Sequence, residues 1–215
     1  MSEHENIIIR KPEEQSAIEK QLVTYCQRLL KLDKTGKGFI AGGVILSRLM
    51  RTKSDVDIFY NEEVEAENAY FQFKKEYDDH KFATPPTISK LVKHVSSKKN
   101  AYRVQLRQPY VQLDIVRIPF KSPVDCIRQF DFTIVMVAVD RDGNFYHHKN
   151  WYEHIAAKSL VVNELPFPVS TAWRVLKYMQ KGFCICPTQY QKILTAVKNN
   201  TKPDDTLDGF YDAFD

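Results

Sequence analysis

Apolar residues recur at helical spacing through Ile18, Leu22, Tyr25, Cys26, Leu29 and Leu30, and Pro12, Glu13 and Glu14 stand ahead of them. A helix opening at Pro12, with acidic residues in its first turn and its apolar stripe buried in a core, is predicted. The same stripe would also suit pairing with another copy. Before it, Ile7-Ile8-Ile9 reads as a short strand or an arm. After it, Lys34-Thr35-Gly36-Lys37-Gly38 leads into Phe39-Ile40-Ala41, the pattern of a short buried strand, which Gly42-Gly43 break. The spacing of Val44, Leu46, Leu49 and Met50 is helical again. Ser54-Asp55-Val56-Asp57-Ile58-Phe59 then alternates as a strand, with Asp55 and Asp57 on one face and Val56 and Ile58 on the other.

Further along, Asn61 caps a predicted helix running to Tyr77, with Tyr70, Phe71 and Phe73 turned partly inward. Pro85-Pro86 marks a loop. Lys90 to Arg107 reads as a two-stranded ribbon joined at Ser96-Ser97-Lys98-Lys99-Asn100. Its cations Lys90, Lys93, His94, Lys98, Lys99, Arg103 and Arg107 suit a solvated face first and phosphate contact second. Tyr110 to Val116 alternates and carries Asp114. A short polar turn or helix at 123–129 precedes Phe132 to Val139, whose continuous apolar character predicts a buried strand. Asp140-Arg141-Asp142-Gly143 supplies a tight turn into a returning strand from Asn144 to His147. Helices are predicted from Trp151 to Ala157, from about Ser170 to Lys181 with Val175, Leu176 and Met179 as its apolar side, and from Thr188 to Lys198. A polar, acidic tail follows from Asn199.

Composition narrows the classes little. At 215 residues and 43% hydrophobic, the chain can build one large domain, alone or with a small appendage. The formal charge of +4 and pI near 8.7 permit nucleotide or nucleic-acid partners without demanding them. Cys26, Cys126, Cys184 and Cys186 lack zinc-site spacing and are expected to be reduced, mostly buried thiols. The chain opens on no cationic-then-apolar leader and contains no apolar run long enough to cross a bilayer, so a cytoplasmic protein without membrane contact is expected.

The chemistry concentrates between Phe39 and Phe59. A strand, a glycine turn and a helix start let backbone N–H groups approach an anion closely, a plausible cradle for a triphosphate. Two carboxylates on one strand face repel unless a cation lies between them, and hard oxygen ligands suit magnesium. The segment from Lys34 to Gly38 lacks the G-x-x-x-x-G-K-[ST] pattern of a P-loop.

The glycine pair followed by D-x-D, with Asp114 on a later strand, resembles the signature of the polymerase-beta-like nucleotidyltransferase superfamily. Asp131-Phe132-Thr133-Ile134 with Ala138, Asp140 and Gly143, and further on Arg174-Val175-Leu176-Lys177, resemble motifs of the head domain of bacterial poly(A) polymerases and tRNA CCA-adding enzymes. Where that family carries an arginine and an aspartate shortly after the glycine pair, Leu46 and Ser47 stand here. Phe130 and Val135 replace an arginine and an asparagine, and the E-D-x-x-R motif that selects CTP and ATP is absent. The resemblance implies an α+β nucleotidyltransferase fold, a mixed or antiparallel sheet flanked by helices. Its expected parts are a catalytic domain over 1–165, a short neck-like helical extension over 166–198 and a mobile acidic tail over 199–215. It implies a small stand-alone enzyme of the kind phages and bacteria carry, using magnesium or manganese on Asp55, Asp57 and Asp114. Gly42, Gly43, Ser54, Arg128, Arg174 and Lys177 would hold the NTP, and Asp131 would be structural, capping or pairing with an arginine, rather than a fourth ligand. The implied acceptor is an RNA 3′ end or tRNA, a second nucleotide, a small molecule or a protein side chain. A nucleotide-sequestering or partner-docking module is the alternative.

Overall fold

A computed structural model describes residues 6–82, 91–107 and 110–202. The expected Pro85-Pro86 loop, Lys90 and the tail beyond Lys202 lie outside them. The chain divides into two compact units: Ile7–Ile127 with Val137–His147, and Met1–Asn6 with Arg128–Met136 and His148–Asp215.

The first unit is built on an eight-stranded sheet. Its strands are β1 (Ile7–Arg10), β2 (Phe39–Ala41), β3 (Val56–Phe59), β4 (Val92–Ser97), β5 (Ala101–Leu106), β6 (Gln112–Val116), β7 (Val137–Val139) and β8 (Phe145–His148). They lie in the order β1-β8-β7-β2-β3-β6-β5-β4. β3 and β6 run parallel, while β2–β3, β2–β7, β7–β8, β5–β6 and β4–β5 are antiparallel. The α+β class and the mixed, mostly antiparallel sheet that the resemblance implied are thus present.

Helix α1 (Ala17–Leu30) buries Leu22, Val23, Cys26, Leu29 and Leu30. It starts later than Pro12. Pro12–Glu14 forms a separate 3-10 turn, and Gln15 is extended because its side-chain amide donates to the Gly143 carbonyl at 2.6 Å. Ser16 then caps α1 reciprocally: its Oγ accepts from the Glu19 N–H at 3.3 Å and the Glu19 carboxylate accepts from the Ser16 N–H at 2.6 Å. A short helix α2 (Gly43–Leu49) follows β2, and α3 (Glu63–Lys81) begins after Glu62 rather than Asn61. On α3, Tyr70 and Phe73 are buried whereas Phe71 is 58% exposed. Tyr70 stacks on Tyr102 of β5 with ring centroids 4.2 Å apart. Helix α4 (Pro123–Arg128) ends the first long segment.

A buried polar knot ties the strand entering the site to the β7–β8 turn. Asp33 is almost fully enclosed; its Oδ2 accepts from Arg141 Nη2 at 2.6 Å and from the Tyr60 hydroxyl at 3.1 Å. Its Oδ1 accepts from the Thr35 N–H and hydroxyl at 2.9 and 2.6 Å. Burial first, and then the charge of Asp33, push the Tyr60 hydroxyl pKa well up, so it remains a donor. Gly38 is required by close approach, since a Cβ there would lie 2.7 Å from Ile58 Cγ2 and 3.0 Å from the Tyr60 ring.

In the second unit the apolar run from Phe132 departs from a continuous strand. Phe132 makes a single antiparallel bridge with Val162, and Thr133–Val135 coils into a 3-10 turn whose Ile134 carbonyl accepts the Trp151 indole N–H at 2.8 Å. The residues are buried as expected, but only Val137–Val139 are strand. Helices α5 (Trp151–Ala156), α6 (Pro168–Gln180) and α7 (Pro187–Lys198) follow, with a small parallel pair of β9 (Ser159–Leu160) and β10 (Cys184–Ile185). On α6, Val175 is buried, but Leu176 and Met179 are 49% and 50% exposed along an open apolar groove shared with α7. Among the described residues no helix is long and apolar enough to cross a membrane.

Two predictions follow from this packing. Asp33→Ala leaves Arg141 only the residue-33 carbonyl and is expected to lower stability by about 3 kcal/mol, read as a fall in the denaturant midpoint at unchanged slope. Of the four cysteines, Cys26 and Cys126 are buried while Cys184 and Cys186 are exposed. Burial pushes the Cys26 thiol up to about 12 and raises that of Cys126 as well. Iodoacetamide at pH 8 should therefore label Cys184 and Cys186 in the native protein, and Cys26 and Cys126 only in denaturant, as mass spectrometry would show.

Candidate functional site

β2 ends at Gly42, whose φ of 84° and ψ of −139° belong to glycine alone. Its N–H donates to the Val137 carbonyl at 2.9 Å, which extends the β2–β7 pairing to the edge of the turn. Gly43 opens α2, and a Cβ on it would stand 3.6 Å from Ser54 Oγ, so the serine faces the glycine turn. α2 then buries Val44, Ile45, Leu46 and Ser47. The two positions where the resembled family has an arginine and an aspartate are therefore interior, and a side chain of either kind would need a buried partner there.

Asp55 is exposed just before β3, and Asp57 lies half-buried within it. The parallel register pairs Asp57 with Asp114 on β6, and the antiparallel register pairs Asp114 with Arg103 on β5 and Arg103 with Ser96 on β4. Those four residues form one row across the sheet. Alternation puts Val56, Ile58, Leu113, Ile115, Tyr102 and Val104 on the opposite, buried face.

Within that row Arg103 grips Asp114 with a two-pronged contact: Nε donates to Oδ1 and Nη2 to Oδ2, both at 3.0 Å. The side chains are 17% and 14% exposed. Gln112 Nε2 lies at 3.4 and 3.5 Å from the same oxygens. The Arg103 pKa is pushed above its ordinary value, chiefly by the hydrogen bond to Asp114, with the charges of Asp55 and Asp57 adding to it. All three carboxylates thus act on one guanidinium.

For a divalent metal the fit is partial. Magnesium commonly takes one or two carboxylates together with substrate phosphates, and Asp55 and Asp57 offer that donor set. Asp114, the third carboxylate, has both oxygens hydrogen-bonded to Arg103, each with a further lone pair. Among the described residues no three His, Cys, Asp or Glu side chains converge as a metal-binding group.

The remaining expected site residues belong to the second unit. Arg128 closes α4, and its carbonyl accepts from Asn163 Nδ2 at 2.8 Å. Arg174 Nη1 donates to Asp131 Oδ2 at 2.6 Å, and Thr171 donates to the same oxygen at 3.2 Å. Lys177 is exposed on α6, one turn beyond Arg174. The residue that pattern reading undervalued is Arg103, ranked only as one of several ribbon cations. The signal was present: between Tyr102 and Val104, alternation sends Arg103 to the polar face of the strand that neighbours Asp114.

This sheet, with its glycine turn and row of carboxylates, has the nucleotidyltransferase fold. The Thermotoga maritima CCA-adding enzyme complexed with tRNA is similar over 89% of this chain, with a TM-score of 0.57 and 18% identity. A CCA-adding enzyme in complex with ATP is similar over 89%, with a TM-score of 0.58 and 20% identity, and one with CTP over 89%, at 0.57 and 17%. The matches span 46–47% of those longer chains. No curated protein matches the sequence. The chain belongs to the Gad2, or Gabija anti-defense 2, family, whose sequence model matches residues 16–158.

The backbone geometry separates the two glycines. Gly42→Ala forces a side chain into a glycine-only conformation and should cost about 1–3 kcal/mol, whereas Gly43→Ala meets Ser54 at ordinary contact distance and should leave stability nearly unchanged. Thermal unfolding of the two variants tests this; equal melting temperatures would contradict it.

Proposed function

We propose that the chain is a metal-dependent nucleotidyltransferase that moves a nucleoside monophosphate from an NTP to an acceptor hydroxyl, favouring an RNA 3′ end, and releases pyrophosphate. The observation that carries this reading is the row of Asp57 and Asp114 on parallel neighbouring strands, with Asp55 ahead of it, beside a Gly42-Gly43 turn in a nucleotidyltransferase fold. Gly42, Gly43 and Ser54 border the triphosphate. Asp55 and Asp57 hold magnesium or manganese, which when bound neutralises the triphosphate and favours departure of pyrophosphate. In the transfer, the acceptor oxygen bonds to the α-phosphorus, the bond to the β-phosphate bridging oxygen breaks, and the hydroxyl proton leaves to solvent or a nearby carboxylate. Asp114 orients Arg103 toward the same charge. Arg128, Arg174 and Lys177 are the candidates in the second unit for phosphate or base contacts, Arg174 being anchored by Asp131.

A second reading has specific support. The anti-defense name of the family suits a protein that acts on a partner, either by holding a nucleotide or by nucleotidylating a protein. Either role fits the small stand-alone phage or bacterial type that the resemblance implies.

The test is pyrophosphate release from each radiolabelled NTP with magnesium or manganese, in the presence of total RNA and cell protein, with RNA and protein then separated. Label on RNA supports the favoured reading, and label on protein the second. Asp57→Ala should lower transfer at least about 100-fold while leaving the circular dichroism spectrum unchanged; full activity in that variant sinks the assignment. Stoichiometric nucleotide binding without turnover would identify a sequestering module.

A further inference from the structure

The second unit carries an apolar stripe that its described residues leave open. Val169, Trp173, Leu176 and Met179 of α6 follow one another at three- and four-residue steps, and Tyr190 and Val197 of α7 line the same groove. Leu176, Met179, Tyr190 and Leu194 are 41–50% exposed. A contiguous apolar surface of this kind marks a place where something binds. The two helices hold Arg174, Lys177, Lys192 and Lys198 and no acidic residue. Lys177 stands one turn from Trp173 and Lys198 one turn from Leu194, so cations flank the stripe. A fitting occupant is apolar on one side and acidic on the other.

The chain supplies such a segment itself. Residues 203–215, PDDTLDGFYDAFD, lie beyond the described ones and hold Asp204, Asp205, Asp208, Asp212 and Asp215 with no lysine or arginine. Leu207, Phe210, Tyr211 and Phe214 fall at i, i+3, i+4 and i+7, the spacing of one helix stripe, and the aspartates fall outside that stripe. The segment also starts at the right place. Lys202 Nζ donates to the Pro166 carbonyl at 2.7 Å and lies 4.8 Å from the centre of the Phe167 ring, which ties the chain to the end of α6 where Val169 opens the groove. From Val169 to Met179 the stripe runs about 15 Å, and the four apolar positions of the segment cover about 10 Å as a helix. We propose that residues 203–215 dock in the α6–α7 groove of their own chain as an amphipathic helix. The tether sets the direction: Leu207 enters at Val169, Phe214 reaches toward Met179, and the aspartates meet the flanking lysines. Tethering gives the segment an effective concentration on the order of 1 mM, so a weak apolar contact suffices.

The test is hydrogen exchange of the full chain, read by mass spectrometry on peptides from 203–215, with the native mass measured at the same concentrations. The wild type is expected to exchange the amides of 207–214 at least about tenfold more slowly than a free synthetic peptide of residues 203–215. Phe210→Ser combined with Phe214→Ser should lose that protection. Leu176→Asp should lose it too, although it alters only a half-exposed groove side chain, and Met179→Ser serves if Leu176→Asp does not fold. Phe71→Ser, at an exposed apolar position of the first unit, should keep it. Amides that exchange as fast as in the free peptide overturn the inference, and so does protection that survives the groove variants or is lost in Phe71→Ser. Protection that appears only with a dimer mass and fades on dilution gives the groove to the segment of a second copy, and overturns docking within one chain.

Discussion

Like charges brought together by a parallel ladder are the constraint on which the site depends. Strands in a sheet lie roughly 5 Å apart, so the β3–β6 register sets the Asp57 and Asp114 backbones side by side with both carboxylates on one face. Such a pair is tolerated only with positive charge close by. The neighbouring strand β5 supplies it through Arg103, one ladder step further along. The fold therefore offsets the repulsion internally.

That balance explains why one polymer pattern could be read correctly at some positions and not at others. Period-two alternation is local, and it placed Asp57, Asp114 and the buried Val56, Ile58, Leu113 and Ile115 on their proper faces. The pairing of Arg103 with Asp114 depends on strand order, which no local pattern states. Helix starts failed for a different reason. Ser16-Ala17-Ile18-Glu19 carries a capping box in plain view, yet Pro12 also suits a helix start; the contact of Gln15 with the distant Gly143 carbonyl decides between them. From Phe132 to Val139 the apolar run reported burial and not backbone, because a 3-10 turn offering its carbonyl to Trp151 is as buried as a strand.

The second unit shows the same division between legible and hidden. The aspartate of the Asp131-Phe132-Thr133-Ile134 motif holds Arg174, one of the two structural roles expected of it, and a buried carboxylate so placed fixes the helix α6 that carries the arginine. Pattern alone grouped Val175, Leu176 and Met179 as one apolar side of α6, since helical spacing records amphipathicity without saying what covers the apolar stripe. All three line the groove with α7, Val175 buried at its floor and the other two half-exposed.

The ribbon β4–β5 gains a different meaning once its register is known. As a run of cations it looked like a solvated face with phosphate contact as a second use. Alternation instead divides β5 between two duties. Tyr102 stacks on Tyr70, and with Val104 and Leu106 it closes the core, whereas Arg103 enters the carboxylate row. The guanidinium is thus held from behind by the core that its own strand helps to build, and its position is no looser than that core. A surface arginine of equal charge would spend side-chain entropy to reach Asp114 and lose most of the interaction to water. Placed on a central ladder with both prongs engaged, Arg103 becomes part of the site's fixed electrostatics, and the chemistry of Asp114 has to be argued with that charge in place.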